Sequence, residues 1–278
     1  MSVARFDRPS TRAALLGLFD MVAAENRTLS LWWRDDDAVA ETPALDRLLA
    51  LSQRHQAPVA LATIPTRLER SLPERLAGLG GVDVLVHGFA HANHAPPGEK
   101  KAEFGPHRPL AARIAEAGQA LAITRTAFGD QALAVFVPPW NRIAIDLTTA
   151  LPGAGYAGLS AARSKGARHV EQGPQRVDIH IDPIAWHDGG SLADPALIIG
   201  NLDEALRADP AADVLIGLLT HHLVHDEAIW TFTEDLLDLA ARHRAVRFCS
   251  AANVFCAKAS SGLDLHGQER HSRDATEG

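Results

Sequence analysis

Short apolar runs alternate with segments of helical period along most of the chain. The runs are continuous in hydrophobicity, which is typical of strands buried on both faces of a parallel sheet. They predict strands at residues 29–34, 58–64, 82–86, 133–137, 156–160, 213–219 and 246–249, with an extended stretch at 177–184. The segments between them predict helices, the clearest at residues 110–128, 195–206 and 227–242. This alternation predicts an α/β fold in which helices cover a parallel sheet.

Only short segments precede and follow this alternation of strands and helices. Before the first strand, Leu15, Leu18, Phe19 and Val22 lie on one face of a predicted amphipathic helix. We expect three parts: an N-terminal helix region packed on the sheet domain, the domain itself, and a polar, disordered tail. Their bounds are residues 1–28, 29–258 and 259–278, and a loop rich in Pro and Gly is expected inside the domain at residues 92–109.

Composition narrows the class of protein. The 278 residues are 46% hydrophobic and 22% charged, with a net charge of -7, and no basic patch predicts a nucleic-acid partner. No apolar run approaches the roughly 18 residues of a membrane span, so we expect no membrane partner and a cytoplasmic location. Cys249 and Cys256 are not spaced as a metal or redox pair, and we expect buried free thiols.

Polar residues that can bind metal follow several predicted strands. Three acids, Asp35 to Asp37, follow the first strand, and His87 and His91 follow the third. Adjacent carboxylates repel one another unless a cation or an arginine neutralises them. Carboxylate and imidazole suit zinc or a similar divalent ion. Because strand ends converge on one face of a closed barrel, and would not in an open sheet, this placement favours a barrel.

The order of these motifs resembles that of the polysaccharide deacetylases, also called the NodB-homology or carbohydrate esterase family 4, over roughly residues 29–250. Five segments carry the resemblance: Asp36-Asp37, His87-x-x-x-His91, Val137-Pro138-Pro139-Trp140-Asn141, Asp182 to Trp186 with Asp188 beyond it, and Leu218-Leu219-Thr220-His221. The resemblance implies a distorted (β/α)7-type barrel.

The resemblance also implies a role for each motif residue. The metal ligands would be Asp37, His87 and His91, and Asp36 would be the base that activates water. His221 and His222 both fit the general acid. Pro139, Trp140, Asn141 and Trp186 would line the substrate groove. The run of three acids leaves this register open by one residue, and His94 is expected to be an ordinary loop residue.

The chain departs from the family pattern at two places. Ala38-Val39 replaces the Gly-Pro that follows the acids, and Val137 replaces the arginine that orients the base. Strand alternation can place Arg34 on the same side as Asp36, and Arg142 lies just after the proline turn. Either arginine could take over that role.

Three functions are compatible with these residues. The first is a metal-dependent hydrolase, with zinc as the expected divalent ion, that removes acetyl groups from N-acetylated sugars. The second keeps the metal site but hydrolyses another small non-peptide C–N bond, such as that of a cyclic ureide or an acylated amine. The third is a catalytically inactive barrel that binds carbohydrate or a partner protein. The sequence assigns neither the substrate nor the oligomeric state.

Overall fold

A single parallel sheet organises the computed structural model, which describes residues 6–162, 173–208 and 213–256. Its strands in the described residues are β1 (Leu29–Ala38), β2 (Val59–Thr63), β3 (Val82–His87), β4 (Ala132–Val137), β5 (Gly158–Leu159), β6 (Gln175–Arg176), β7 (Val214–Thr220) and β8 (Val246–Phe248). The strand order is β6-β5-β4-β3-β2-β1-β7, and β8 pairs with the first residues of β1. The α/β class and the parallel sheet predicted from the sequence are confirmed.

Helices connect most of the strands. They are α1 (Arg8–Ala24), α2 (Pro43–His55), α3 (Ser71–Leu76), α4 (Leu110–Phe128), α5 (Ile145–Ala150), α6 (Pro195–Arg207), α7 (Glu227–Arg242) and α8 (Ala251–Cys256). Side chains cap several of them, as when Thr42 accepts a hydrogen bond from the N–H of Leu45 at the start of α2. Among the described residues, no helix combines the length and the hydropathy needed to cross a bilayer.

The sheet curls because the chain after β6 returns to β7. The N–H of Ile181 donates to the carbonyl of Gly217 at 3.0 Å, and the N–H of Leu219 donates to the carbonyl of Ile181 at 2.8 Å. A Cβ on residue 217 would lie 2.9 Å from the Cα of Ile179, so only glycine permits this approach. The curled arrangement confirms the predicted barrel type and turns the strand ends towards one another.

Residues of β1 alternate between the two faces of the sheet. Trp32 packs in one hydrophobic cluster with Leu85, and its ring meets that of Phe255 edge-on with centroids 5.9 Å apart. Trp33 packs in another cluster, with residues of the covering helices, and its Nε1 donates to Thr220 of β7. The alternation continues into the acids, since Arg34 contacts Asp36 and Asp35 contacts Thr220.

Several element boundaries differ from the prediction. β1 continues through the acids to Ala38 because β2 and β7 pair with it there. The sequence predicts an extended stretch at residues 177–184. This stretch forms isolated bridges and no named strand, and the short strand β6 (Gln175–Arg176) lies just before it. Helix α8 was not predicted. Cys249 is a free thiol, as predicted, but it is only half-buried, so the prediction that it is buried was wrong.

The N-terminal region packs on the helical layer. α1 contacts α6 and α7, and Arg8 pairs with the buried carboxylate of Asp235 at 2.7 Å. The predicted tail at 259–278 and the side chain of Cys256 lie outside the described residues.

Candidate metal centre

The carboxyl ends of β1 and β3 bring one carboxylate between two imidazoles. Oδ1 of Asp37 lies 3.2 Å from Nε2 of His87 and 3.5 Å from Nε2 of His91. The three ligand atoms lie within 4.8 Å of one another. Residues predicted from distant motifs therefore share one site.

A break in the strand aims Asp37 at the histidines. The pairing register of β1 with β2 shifts between Asp36 and Ala38, and Asp37 has a φ of 74°. A bulge of this kind leaves one residue out of the ladder and redirects its side chain. Regular alternation would have placed Asp37 on the same side as Asp35.

The ring of His87 is oriented by its neighbour strand. Its Nδ1 lies 3.1 Å from the carbonyl oxygen of Val137, which can only accept a hydrogen bond, so Nδ1 carries a proton. In the neutral ring, Nε2 then presents its lone pair towards Asp37. His91 has a φ of 55°, and its ring packs against Trp140 with centroids 4.4 Å apart.

The donor set fits a divalent metal ion. Buried Oδ1 of Asp37 has no hydrogen-bond partner among the described residues, although two imidazole nitrogens face it. Tetrahedral zinc ligands at about 2.1 Å from the ion would stand about 3.4 Å apart, close to the two separations observed. One oxygen and two nitrogens are ligands that zinc and cobalt accept.

The electrostatics favour an ionised ligand carboxylate. Burial acts to raise the pKa of Asp37, but the close approach of His87 and the charges of His221 and His91 outweigh it and hold that pKa below its usual range. Burial and the charge of His87 lower the pKa of His91, whereas for His87 the neighbouring Asp36 and Asp37 outweigh burial and raise the pKa. A charged carboxylate and a neutral imidazole are the forms that bind metal.

An arginine holds Asp36 beside this cluster. Nε of Arg34 lies 2.9 Å from Oδ1 of Asp36, and its Nη2 donates to Oδ2 at 3.1 Å. Ser160 accepts a bond from Nη1 at 2.7 Å, and Asn141 accepts one from Nη2 at 3.1 Å. Arg142 points elsewhere, because its Nη1 donates to the carbonyl of Lys101. Arg34, and not Arg142, is therefore the arginine that contacts Asp36.

Asp35 and His222 form a separate buried pair. Oδ1 of Asp35 lies 2.5 Å from Nδ1 of His222, and Oδ2 accepts bonds from Thr220 and from the N–H of His222. Burial opposes ionisation of both groups, but their mutual attraction lowers the pKa of Asp35 and raises that of His222. This pair was not predicted from the sequence, although alternation along β1 separates the side chain of Asp35 from that of Asp36.

His221 is partly exposed and lies beside Trp186. Its ring meets Trp186 edge-on, with centroids 4.7 Å apart, and Nε1 of Trp186 donates to Asp182 at 2.8 Å. Burial raises the pKa of Asp182, and the nearby charge of His221 offsets this only in part. His222 is 1% exposed whereas His221 is partly open, so the two candidate acids occupy different environments.

Two of the four predicted groove residues contact the residues around the site, and the two tryptophans are partly exposed. Pro139 is buried beside Gly88, and Asn141 is turned towards Arg34. Trp140 stands next to His91, and Trp186 is 49% exposed beside His221. His94 lies in an exposed loop outside the cluster, as expected.

The protein is similar to known proteins in its fold. No family model matches the sequence, and no curated protein does. A protein from Mycobacterium smegmatis described as a polysaccharide deacetylase superposes with a TM-score of 0.63 at 13% identity, over 89% of this chain and 96% of that one. The allantoinase Puue superposes with a TM-score of 0.61 at 10% identity, over 86% of this chain and 93% of that one. A family 4 acetyl xylan esterase from Clostridium thermocellum was solved with a cobalt ion. It superposes with a TM-score of 0.52 at 13% identity, over 83% of this chain and 92% of that one. The chain thus has the fold shared by polysaccharide deacetylases and family 4 carbohydrate esterases, as its motifs predicted.

Proposed function

We propose that this protein is a metal-dependent hydrolase that removes acetyl groups from N-acetylated sugars. The observation that carries the proposal is the cluster of Asp37, His87 and His91 beside an Asp36 held by Arg34. A base next to a metal-ligand set is the arrangement that hydrolysis of an amide requires. Zinc is the metal we favour, since the donors are one carboxylate and two imidazoles.

The names of structurally similar proteins support the same chemistry. One is described as a polysaccharide deacetylase, and another, an acetyl xylan esterase, was solved with a cobalt ion. Both names concern carbohydrates, and the esterase removes acetyl groups. Their low identity to this chain leaves the residues of its own site as the main support.

Asp36 is assigned the role of general base. A divalent cation held by the three ligands would lower the pKa of a water molecule and polarise the acetyl carbonyl. Asp36 would accept the proton of the attacking water, and Arg34 keeps its carboxylate in a fixed orientation through two contacts. General acid–base steps of this kind contribute about 10²–10⁴-fold to the rate.

His221 is assigned the role of general acid. Its partly exposed ring would give a proton to the departing amine, while the neighbouring Trp186 would present an aromatic surface to a sugar. His222 is enclosed with Asp35, so we assign it a supporting role.

A second substrate class is favoured by one comparison. The fold likeness to an allantoinase is about as strong as that to the deacetylase. Hydrolysis of a cyclic ureide or another small amide would use the same base and ligands. The loop at residues 92–109 follows His91 directly, and it could restrict the site to small substrates.

Metal content and a substrate panel test the proposal. We expect the purified protein to bind zinc stoichiometrically and to release acetate from N-acetylglucosamine or its oligomers after metal is restored. The His87→Ala, His91→Ala double variant should lose both properties, and His94→Ala, which removes an exposed histidine, should keep them. Asp36→Asn should keep zinc and lose about 10²–10⁴-fold in rate.

The outcomes separate the candidate functions. Hydrolysis of allantoin or small amides alone would favour the second substrate class. Zinc binding with saturable sugar binding but no turnover would indicate an inactive carbohydrate-binding barrel. Stoichiometric zinc in the double histidine variant would refute the ligand assignment.

A further inference from the structure

A buried carboxylate supports the segment that joins His87 to His91. Glu103 is 1% exposed. Its Oε1 accepts hydrogen bonds from the backbone N–H groups of Ala90 at 2.8 Å and Ala92 at 3.2 Å. Its Oε2 accepts a third from the N–H of Phe89 at 3.1 Å. Hydrogen bonds from N–H groups to a carboxylate are roughly twice as strong as those between neutral groups.

The supported segment has a costly backbone conformation. Gly88 has a φ of 63° and His91 a φ of 55°. A non-glycine residue held in the left-handed region costs on the order of 1–3 kcal/mol, and it persists only where surrounding contacts enforce it. The three bonds to Glu103 are contacts of that kind. They also explain Gly88, because a Cβ there would lie 2.2 Å from Oε2 of Glu103.

Glu103 is itself fixed by packing that does not involve the histidines. Its neighbours Ala102 and Phe104 are buried, and the ring of Phe104 packs edge-on against Phe136. Nη2 of Arg108 donates to the carbonyl oxygen of Glu103. The loop after His91 therefore folds back and places the carboxylate of Glu103 against the segment at residues 89–92.

We propose that Glu103 is a positioning residue of the metal centre, which fixes the ring of His91 by binding the N–H groups of residues 89, 90 and 92. The inference rests on the proposed function, since it takes Asp37, His87 and His91 as ligands. The two histidines are then oriented differently. His87 is oriented through its ring, by the bond from Nδ1 to Val137, and His91 is oriented through its backbone.

The charges around the site agree with this role. Asp36 is paired with Arg34, and Asp35 with His222. In the described part of the chain, no lysine or arginine pairs with the side chain of Asp37 or of Glu103. A ligand carboxylate that contacts histidines but no lysine or arginine suits a divalent cation.

Zinc affinity tests the inference on the full chain. Glu103→Gln keeps the side-chain length but turns an amide NH2 towards a backbone N–H, and Glu103→Asp withdraws the carboxylate by one methylene. We expect both to raise the zinc dissociation constant about 10–100-fold, as loss of a group that orients a ligand does. Glu99→Gln is the matched control, because it removes an exposed carboxylate of the same loop.

Amide hydrogen exchange in the metal-free proteins gives a second readout. We expect the N–H groups of Ala90 and Ala92 to be protected in the wild type and in Glu99→Gln, and to exchange faster in both Glu103 variants. A folded Glu103 variant with unchanged zinc affinity, or with unchanged protection, would overturn the inference. If the wild type binds no zinc, the proposed function fails, and the exchange pattern still decides whether Glu103 holds this segment.

Discussion

A histidine next to His221 should make the stability of this protein depend on pH. His225 accepts a hydrogen bond at Nε2 from the N–H of His221, and its ring meets Trp230 edge-on at 4.5 Å. Burial, with help from the charges of His221 and His222, lowers its pKa to about 4. The folded protein therefore keeps this ring neutral at a pH where the unfolded chain protonates it.

The direction of the effect follows from proton binding. With a pKa of about 6.5 in the unfolded chain, His225 binds a proton on unfolding between about pH 6.5 and pH 4. Its contribution to stability is fully present above that window and is lost as the pH falls through it. For a pKa of about 4 in the folded state, the loss between pH 7 and pH 5 is about 2 kcal/mol.

The perturbation that isolates this contribution is His225→Gln, whose side-chain oxygen can still accept the bond from His221. Urea unfolding of the wild type and the variant should be followed at pH 5, 7 and 8. The stability advantage of the wild type should shrink by about 2 kcal/mol from pH 7 to pH 5. Other titrating groups are common to both proteins and cancel in this difference.

The same series contains its own control. Between pH 7 and pH 8 the difference should stay nearly constant, because His225 is neutral in the folded state and mostly neutral in the unfolded state there. A difference that changes by less than about 0.5 kcal/mol between pH 7 and pH 5 would refute the argument from burial.

Three further changes have definite expected results. Asp35→Asn should lower the free energy of unfolding by about 3 kcal/mol in urea titrations, since its buried histidine loses a charged partner; an unchanged value would contradict this. Gly88→Ala should weaken zinc binding in chelator competition, because the added methyl displaces Glu103; wild-type affinity would count against the close approach. Trp186→Ala should raise KM for sugars about fivefold with kcat little changed, if the ring contributes about 1 kcal/mol to binding; an unaltered KM would remove it from the groove.

The sequence by itself determined the sheet and the order of its polar strand ends. Continuous apolar runs between amphipathic helices have few solutions other than a covered parallel sheet. Alternation along β1 also predicted that Arg34 and Asp36 share a face, and the structure places them in contact. These features are local, because they depend on a period of two within one strand or on helical periodicity.

Only the tertiary structure decided how the site is assembled. Asp37 reaches the histidines through a bulge that breaks the alternation, and nothing in three consecutive acids predicts where such a break falls. His221 and His222 are adjacent in sequence, yet one is partly exposed beside Trp186 and the other faces a buried carboxylate. Glu103 lies in a loop whose composition predicts no function. Its role depends on the path of that loop back to Phe89, and such a path is set by packing between distant segments.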